Sequence, residues 1–278
     1  MCSELGGKPF NAVVLANGYN FADALSGSYL AAVKEAPILL TWIGKDKYNY
    51  LNEYTVENIK FYLREGGTVY ILGGTEAVPQ AVDDMLTGYN VVRLAGANRF
   101  ETNLLILEAA GVKEGDEVLV CTATGFADSL SASAVGKPIL LVHKKLTNNQ
   151  KAYLGTLSNC SYTMIGGTSA VSDAVMAEFS AYGPTFRLAG KNRFETSVKV
   201  AQKYFPNASE AVLAYAKDFP DGLCGGPLAY AKGCPLILTM TKGEATAAEY
   251  IKKNYIQAGT ILGGEKLISN DSVLAIFY

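Results

Sequence analysis

Histidine occurs once in these 278 residues, tryptophan once, and arginine supplies only five of the 24 basic side chains. A lone His143 excludes a histidine-rich metal set and a recurring general base. The five cysteines, Cys2, Cys121, Cys160, Cys224 and Cys234, show no paired spacing and no C-x-x-C, so they read as small buried apolar residues. A net charge of −2 excludes a global basic field of the kind that holds nucleic acid. No apolar run approaches the roughly 18 residues a membrane-spanning helix needs. The opening residues, Met1-Cys-Ser-Glu-Leu-Gly-Gly-Lys-Pro9, hold no apolar signal region. The expectation is a chain without metal or cofactor that engages neither nucleic acid nor membrane.

The few arginines are concentrated. Four of the five stand in two copies of one string, Arg93-Leu-Ala-Gly96-Ala-Asn98-Arg99-Phe-Glu-Thr102 and Arg187-Leu-Ala-Gly190-Lys-Asn192-Arg193-Phe-Glu-Thr196, identical at nine of ten positions. Where Lys serves for general surface charge, a reserved Arg points to a need for its planar, multi-donor fork.

Three further signatures recur three times in constant order. A short apolar strand leads into Phe21-Ala-Asp23-Ala-Leu25, Phe126-Ala-Asp128-Ser-Leu130 and Phe219-Pro-Asp221-Gly-Leu223. Proline and an apolar run follow at Pro37–Thr41, Pro138–Val142 and Pro235–Thr239. Each unit then reaches a glycine pair, Gly73-Gly74, Gly166-Gly167 and Gly263-Gly264. A fixed period of this kind marks a tandem array. The strands are apolar at every position, as in a parallel sheet buried on both faces. Helical patterns lie between them, over 21–33 and 50–63 in the first unit. The predicted architecture is α/β, three tandem Rossmann-like parallel-sheet modules over 1–90, 91–183 and 184–278, each with about four strands including the short one at 91–93.

The combination of R-L-A-G-x-N-R-F-E-T, the F-A-D-x-L turn, the apolar run after proline and the I-G-G ending resembles the cell wall binding repeat 2 family of Gram-positive bacteria. The resemblance covers nearly the whole chain. It implies three modules around a pseudo-threefold axis, and a non-catalytic anchor that holds a secreted surface protein to an anionic wall polymer, often beside a separate functional domain. One departure stands out. An Arg motif ahead of Asp23 at the spacing of the other units would fall about six residues before Met1, so a segment of a longer secreted protein is implied, and Asp23 is expected to lack a guanidinium.

The motif residues have readable mechanics. Gly96 and Gly190 permit a tight turn, and Asn98 and Asn192 read as N-caps with Glu101 and Glu195 at capping-box spacing. Arg99 and Arg193 then occupy the first helical turn, where a cation is disfavoured by the helix dipole unless an anion sits beside it. That anion is either an internal Asp or an external phosphate or carboxylate. Arg99 and Arg193 are the better candidates for polymer binding; Arg93 and Arg187, also candidates, suit a role tying modules together. Asp23, Asp128 and Asp221 read first as helix caps. Two rival functions remain open. One is an amidase-like hydrolase using the Asp turns, although no His, Ser or second carboxylate recurs beside them. The other is a protein–protein scaffold in which the Arg motifs weld modules. Trp42 reads as core or rim packing, with sugar stacking the alternative, and the glycine pairs as turns, since no Lys-Ser/Thr follows to make a P-loop.

Overall fold

The computed structural model describes Cys2, residues 9–41 and residues 53–278. Trp42 and the first residues of the helix expected over 50–63 lie outside those. Three parallel sheets follow one another along the chain. The first unit runs β1 (Phe10–Asn17), α1 (Phe21–Val33), β2 (Ile38–Thr41), α2 (Glu53–Tyr62), β3 (Leu63–Leu72), α3 (Ala81–Met85) and β4 (Asn90–Leu94). A linking helix, α4 (Arg99–Ala110), leads to β5 (Glu117–Thr122), α5 (Ala127–Ser133), β6 (Ile139–Val142), α6 (Asn148–Thr156), β7 (Ser161–Ile165), α7 (Asp173–Phe179) and β8 (Thr185–Leu188). A second linker, α8 (Arg193–Tyr204), leads to β9 (Glu210–Tyr215), α9 (Pro220–Leu223), α10 (Gly225–Ala231), β10 (Leu236–Thr239), α11 (Ala245–Lys253), β11 (Ala258–Leu262) and α12 (Asn270–Phe277).

The sheet orders are β2-β1-β3-β4, β6-β5-β7-β8 and β10-β9-β11, with every pairing parallel. The first three strands match in all three modules, while the third sheet has no fourth strand like β4 and β8 and so falls short of the four expected; Asp23, Asp128 and Asp221 fall in the first turn after the first strand of each. Strands buried on both faces need apolar residues throughout, and Val118 to Cys121 and Ala211 to Ala214 are at most 2% exposed.

Hydrogen bonding joins the strands at the module borders to the sheets before them. β4 and β8 pair with β3 and β7 of the preceding sheet, so the strands carrying Arg93 and Arg187 close the first and second sheets. Units counted from 91 and from 184 therefore begin on a strand that belongs to the sheet before. The helix α2 buries only part of its apolar residues. Tyr54 is 76% exposed, whereas Ile59 is buried and packs with Val13 and Leu15. Leu63, read as the end of that helix, begins β3 opposite Phe10.

Candidate functional site

In each module the chain leaves the first strand towards one neighbour and returns on its other side, which opens a crevice at the carboxyl ends of the two central strands. The Asp of each module stands in that crevice. None of the three is the cap expected of it. Asn20 caps α1 by accepting from the Ala22 N–H at 3.2 Å, and Asp23 lies inside the first turn. Asp128 and Asp221 likewise follow the first residue of their helices, and the flanking Phe126 and Phe219 offer no capping oxygen.

What the carboxylates meet is the glycine pair. Gly73, Gly166 and Gly263, at the ends of β3, β7 and β11, have φ of 97°, 109° and 106°. A Cβ built on Gly73 would stand 2.7 Å from Asp23 Oδ2 and one on Gly263 2.8 Å from Asp221 Oδ2, with Asp128 closer still to Gly166. Side chains are excluded there twice over, by backbone region and by the carboxylate. The second glycine of each pair has open space around it and keeps an ordinary φ. The two signatures are thus two halves of one contact.

The Arg motif is spent largely on local order. Asn98 Oδ1 accepts from Phe100 and Glu101 N–H at 3.0 and 3.1 Å, and Asn192 does the same for Phe194 and Glu195. The glutamates reach one residue beyond the cap, Glu101 to the Ala97 N–H and Glu195 to the Lys191 N–H. Gly96 and Gly190 are required by proximity and not by φ, because a Cβ would strike Glu101 or Glu195. Arg93 donates to the Gly73 carbonyl at 2.9 Å and pairs with Asp83; Arg187 donates to the Gly166 carbonyl at 3.0 Å and pairs with Asp173 at 2.9 Å. Both hold the strand end, glycine and following helix of one module together, so the inter-module tie expected of them is not their role.

Arg99 and Arg193 do cross between modules. Arg99 Nη1 donates to the Ala123 carbonyl of the second module at 2.6 Å, and its charge acts on Asp23 of the first. Arg193 Nη1 donates to the Ala216 carbonyl of the third at 2.5 Å and acts on Asp128 of the second. Each Arg also lies over the aromatic ring of the module before, Arg99 5.8 Å from Phe21 and Arg193 5.8 Å from Phe126. The guanidinium charge that acts on Asp23 comes from the motif downstream of it, without a hydrogen bond or ion pair between the two, whereas the charge acting on Asp221 is that of Asp218. The carbonyls of Ala123 and Ala216 carried no sequence signal, since any residue supplies that oxygen.

Burial raises all three carboxyl pKa values. For Asp23 and Asp128 the neighbouring Arg opposes that effect without cancelling it, and Asp128 reaches about 6. Exposure increases along the chain: Asp23 is buried, Asp128 half-buried and Asp221 exposed. Arg99 is half-buried and Arg193 exposed. Beyond the carbonyl contact, neither makes a hydrogen bond or ion pair with any described residue, so part of each fork faces outward.

The three modules meet on their phenylalanines. Phe21, Phe126 and Phe219 form a closed triangle with ring centroids 6.1, 5.6 and 5.5 Å apart. Tilted and edge-on contacts of this kind suit the ring quadrupoles, and they set the pseudo-threefold centre that the Asp crevices surround. Among the described residues no group of three His, Cys, Asp or Glu side chains gathers, and no helix is long and apolar enough to cross a membrane. His143 is exposed just after the end of β6 and has no counterpart in the other modules.

Comparison with known proteins agrees with this architecture. The chain is 30% identical over 250 residues to the N-acetylmuramoyl-L-alanine amidase LytC of Bacillus subtilis, covering 87% of this chain and 48% of that protein. It is 26% identical over 249 residues to an amidase enhancer of the same organism, covering 88% of this chain and 33% of that one. The chain thus spans about half or less of these relatives. Among solved structures, Cwp8 from Clostridium difficile superposes with a TM-score of 0.84 at 27% identity, over 97% of this chain and 47% of that one. Cwp6 from the same organism shares the fold with a TM-score of 0.82 at 23% identity, over 97% of this chain and 44% of that one. The family model for cell wall binding domain 2 (CWB2) matches residues 3–83, 93–176 and 187–273. With three such repeats in tandem, the chain belongs to the CWB2 family and is a cell wall binding module.

Proposed function

We propose that this module anchors a larger surface protein to the wall without catalysis, and that its ligand is an anionic wall polymer seated at the module boundaries. The observation that carries the reading is the state of Arg99 and Arg193. One Nη of each is fixed on a strand-end carbonyl, which preorganises the fork, while donors remain open at a helix N-terminus. Guanidinium and helix dipole favour the same thing, a phosphate or carboxylate. The nearby Asp carboxyls limit the positive charge, so binding is expected to depend on several boundaries used together rather than on one deep site. The reading also places the protein outside the cell, at the wall.

The test is sedimentation with purified wall, before and after chemical removal of its anionic polymer. Binding to the intact wall that disappears from the stripped wall and weakens with salt supports the reading. Equal binding to both would overturn the polymer assignment, and release of soluble wall fragments would overturn the non-catalytic one. Welding of modules is a second use of the same arginines, favoured by their reach across the boundaries to Asp23 and Asp128.

A further inference from the structure

The linking helices α4 and α8 sit in equivalent places. α4 lies against β6, where buried Asn103 donates to the Ile139 carbonyl at 2.8 Å and accepts from the Leu141 N–H at 2.9 Å. α8 lies against β10, where the Leu238 N–H donates to Ser197 Oγ at 3.3 Å. Asn103 and Ser197 each stand four residues after the motif Arg, so counting from Arg99 and Arg193 aligns the two helices. Leu105 then matches Lys199, Glu108 matches Gln202, and Ala95 of the turn matches Ala189. Each linking helix also faces a second helix of the module ahead, α6 for α4 and α11 for α8. Counted from their caps, Thr147 and Glu244, those helices align Tyr153 with Tyr250.

The two copies differ at one place. Lys199 reaches back over its turn, and its Nζ donates to the Ala189 carbonyl at 2.6 Å. Tyr250 on the facing helix is buried. In the other copy Leu105 replaces the lysine, and the Ala95 carbonyl accepts from no described residue. A cleft of about 730 Å³ lies there between α4 and α6, lined by Ala95, Leu104, Leu105 and a half-buried Tyr153. Two carboxylates, Glu101 and Glu108, also line it, and among the described residues no Lys, Arg or His does. Burial first, and the Glu108 charge next, hold the Tyr153 phenol above its ordinary range, which puts that charge within reach of the ring. The polar side chains of the cleft are already engaged: Asn149 donates to Glu101 Oε1 at 3.2 Å, and the Thr156 hydroxyl donates to the Tyr153 carbonyl at 2.7 Å.

We propose that the cleft between α4 and α6 is a binding site for an aliphatic ammonium, the lysine-like side chain of a wall peptide. The chain itself shows the chemistry, since Lys199 places an ammonium on the equivalent carbonyl. In the open copy the Ala95 carbonyl takes one N–H of the ligand, and the charge is balanced by Glu101 and Glu108, a charge-assisted arrangement. The methylenes of the ligand lie along Leu105 and the Tyr153 ring, as a lysine stem lies along apolar surface while its head stays polar. An amino sugar suits the cleft less well, because its hydroxyls would meet aliphatic side chains and polar groups that already have partners. Arg99 does not line the cleft, and the ligand is a cation, so the inference stands independently of anionic-polymer binding.

The probe is Nα-acetyl-L-lysine N-methylamide, titrated against the whole chain and followed by the backbone amide resonances of Gly96, Ala97 and Tyr153. Saturable shifts are expected at these amides. The norleucine analogue, with the same stem and no amine, should bind roughly tenfold more weakly, the loss expected of one charge-assisted hydrogen bond. Leu105→Lys fills the cleft from within, as Lys199 fills its counterpart, and should abolish the shifts while the melting temperature holds. Glu108→Gln, an exposed change that leaves folding alone, should weaken binding roughly threefold. On purified wall with its anionic polymer in place, acetylating the free amines should lower sedimentation of the parent and not of the Leu105→Lys variant. Shifts that do not saturate, equal binding of the norleucine analogue, or binding indifferent to both variants overturns the site. Tighter binding of glucosamine than of the lysine probe overturns the aliphatic assignment, and an equal loss for parent and variant on acetylated wall overturns the wall-peptide source.

Discussion

Arg193 stands across a module boundary from Asp128, its Nη1 held 2.5 Å from the Ala216 carbonyl of the next module while its charge opposes the burial of the Asp128 carboxyl. The cation that helix α8 disfavours at its own first turn is matched by an anion from the preceding module. Arg99 and Asp23 repeat the relationship one boundary earlier. A single residue type thus reaches across both of these module boundaries.

Replacing both Arg99 and Arg193 with Lys keeps the charge and removes the fork. Wall sedimentation should fall by roughly tenfold in apparent affinity, and the remaining binding should be more easily screened by salt. A melting temperature within about 3 °C of the parent would separate a binding defect from unfolding. Undiminished binding would make these residues structural only.

The two glycines of each pair are unequal. Gly166→Ala places a methyl against Asp128 at φ 109° and should destabilise by about 2–3 kcal/mol in urea denaturation. Gly167→Ala meets open space and should change stability by less than about 0.5 kcal/mol. Equal costs at both positions would contradict the Asp–Gly contact as the reason for the signature.

Acid stability should depend on Glu117. Burial works against its carboxylate, but hydrogen bonds from Lys203, Thr163 and Tyr204 outweigh that and hold its pKa at about 2. A lowered folded pKa stabilises above the unfolded value and loses that contribution as pH falls from about 4.5 towards 2. The contribution at neutral pH is about 2 kcal/mol, since the side chain is 20% exposed. Glu117→Gln should lower stability at pH 7 and flatten the decline below pH 4.5; a parallel pH profile would refute the assignment.

Asp128 has the opposite sign. Its folded pKa is raised to about 6, so its protonated form is favoured in the folded chain. Stability from this group is full below about pH 4 and is lost as pH rises through 6. Asp128→Asn should therefore gain stability relative to the parent between pH 4 and pH 7, read as a widening difference in melting temperature. A difference that narrows over that range would mean the Arg193 charge outweighs burial.

Phe126 touches both Phe21 and Phe219. Phe126→Ala should cost about 2–3 kcal/mol and broaden the unfolding transition as the modules lose their common contact. An unchanged, single sharp transition would show that the boundary helices α4 and α8 suffice for cohesion.

The period, the α/β class, most of the strand positions and the Asn98 and Asn192 caps were written in local sequence. Repeats, apolar runs and capping oxygens act within a few residues of where they stand. Contacts between distant residues were not written there. The phenylalanine of each F-A-D turn was visible as a repeated letter, but its partners are more than 90 residues away and only the ring of modules brings them together. Asn103 and Ser197 share a task on neighbouring edge strands yet differ in type, so no motif announces them. The action of Arg on Asp shows the limit most sharply. Spacing along the chain assigned each Arg to the Asp that follows it and left Asp23 alone, whereas the fold turns each linking helix back against the module it has just left. Which carboxylate feels a guanidinium is decided by helix packing at the boundary, because charge acts through space and the sequence records only order.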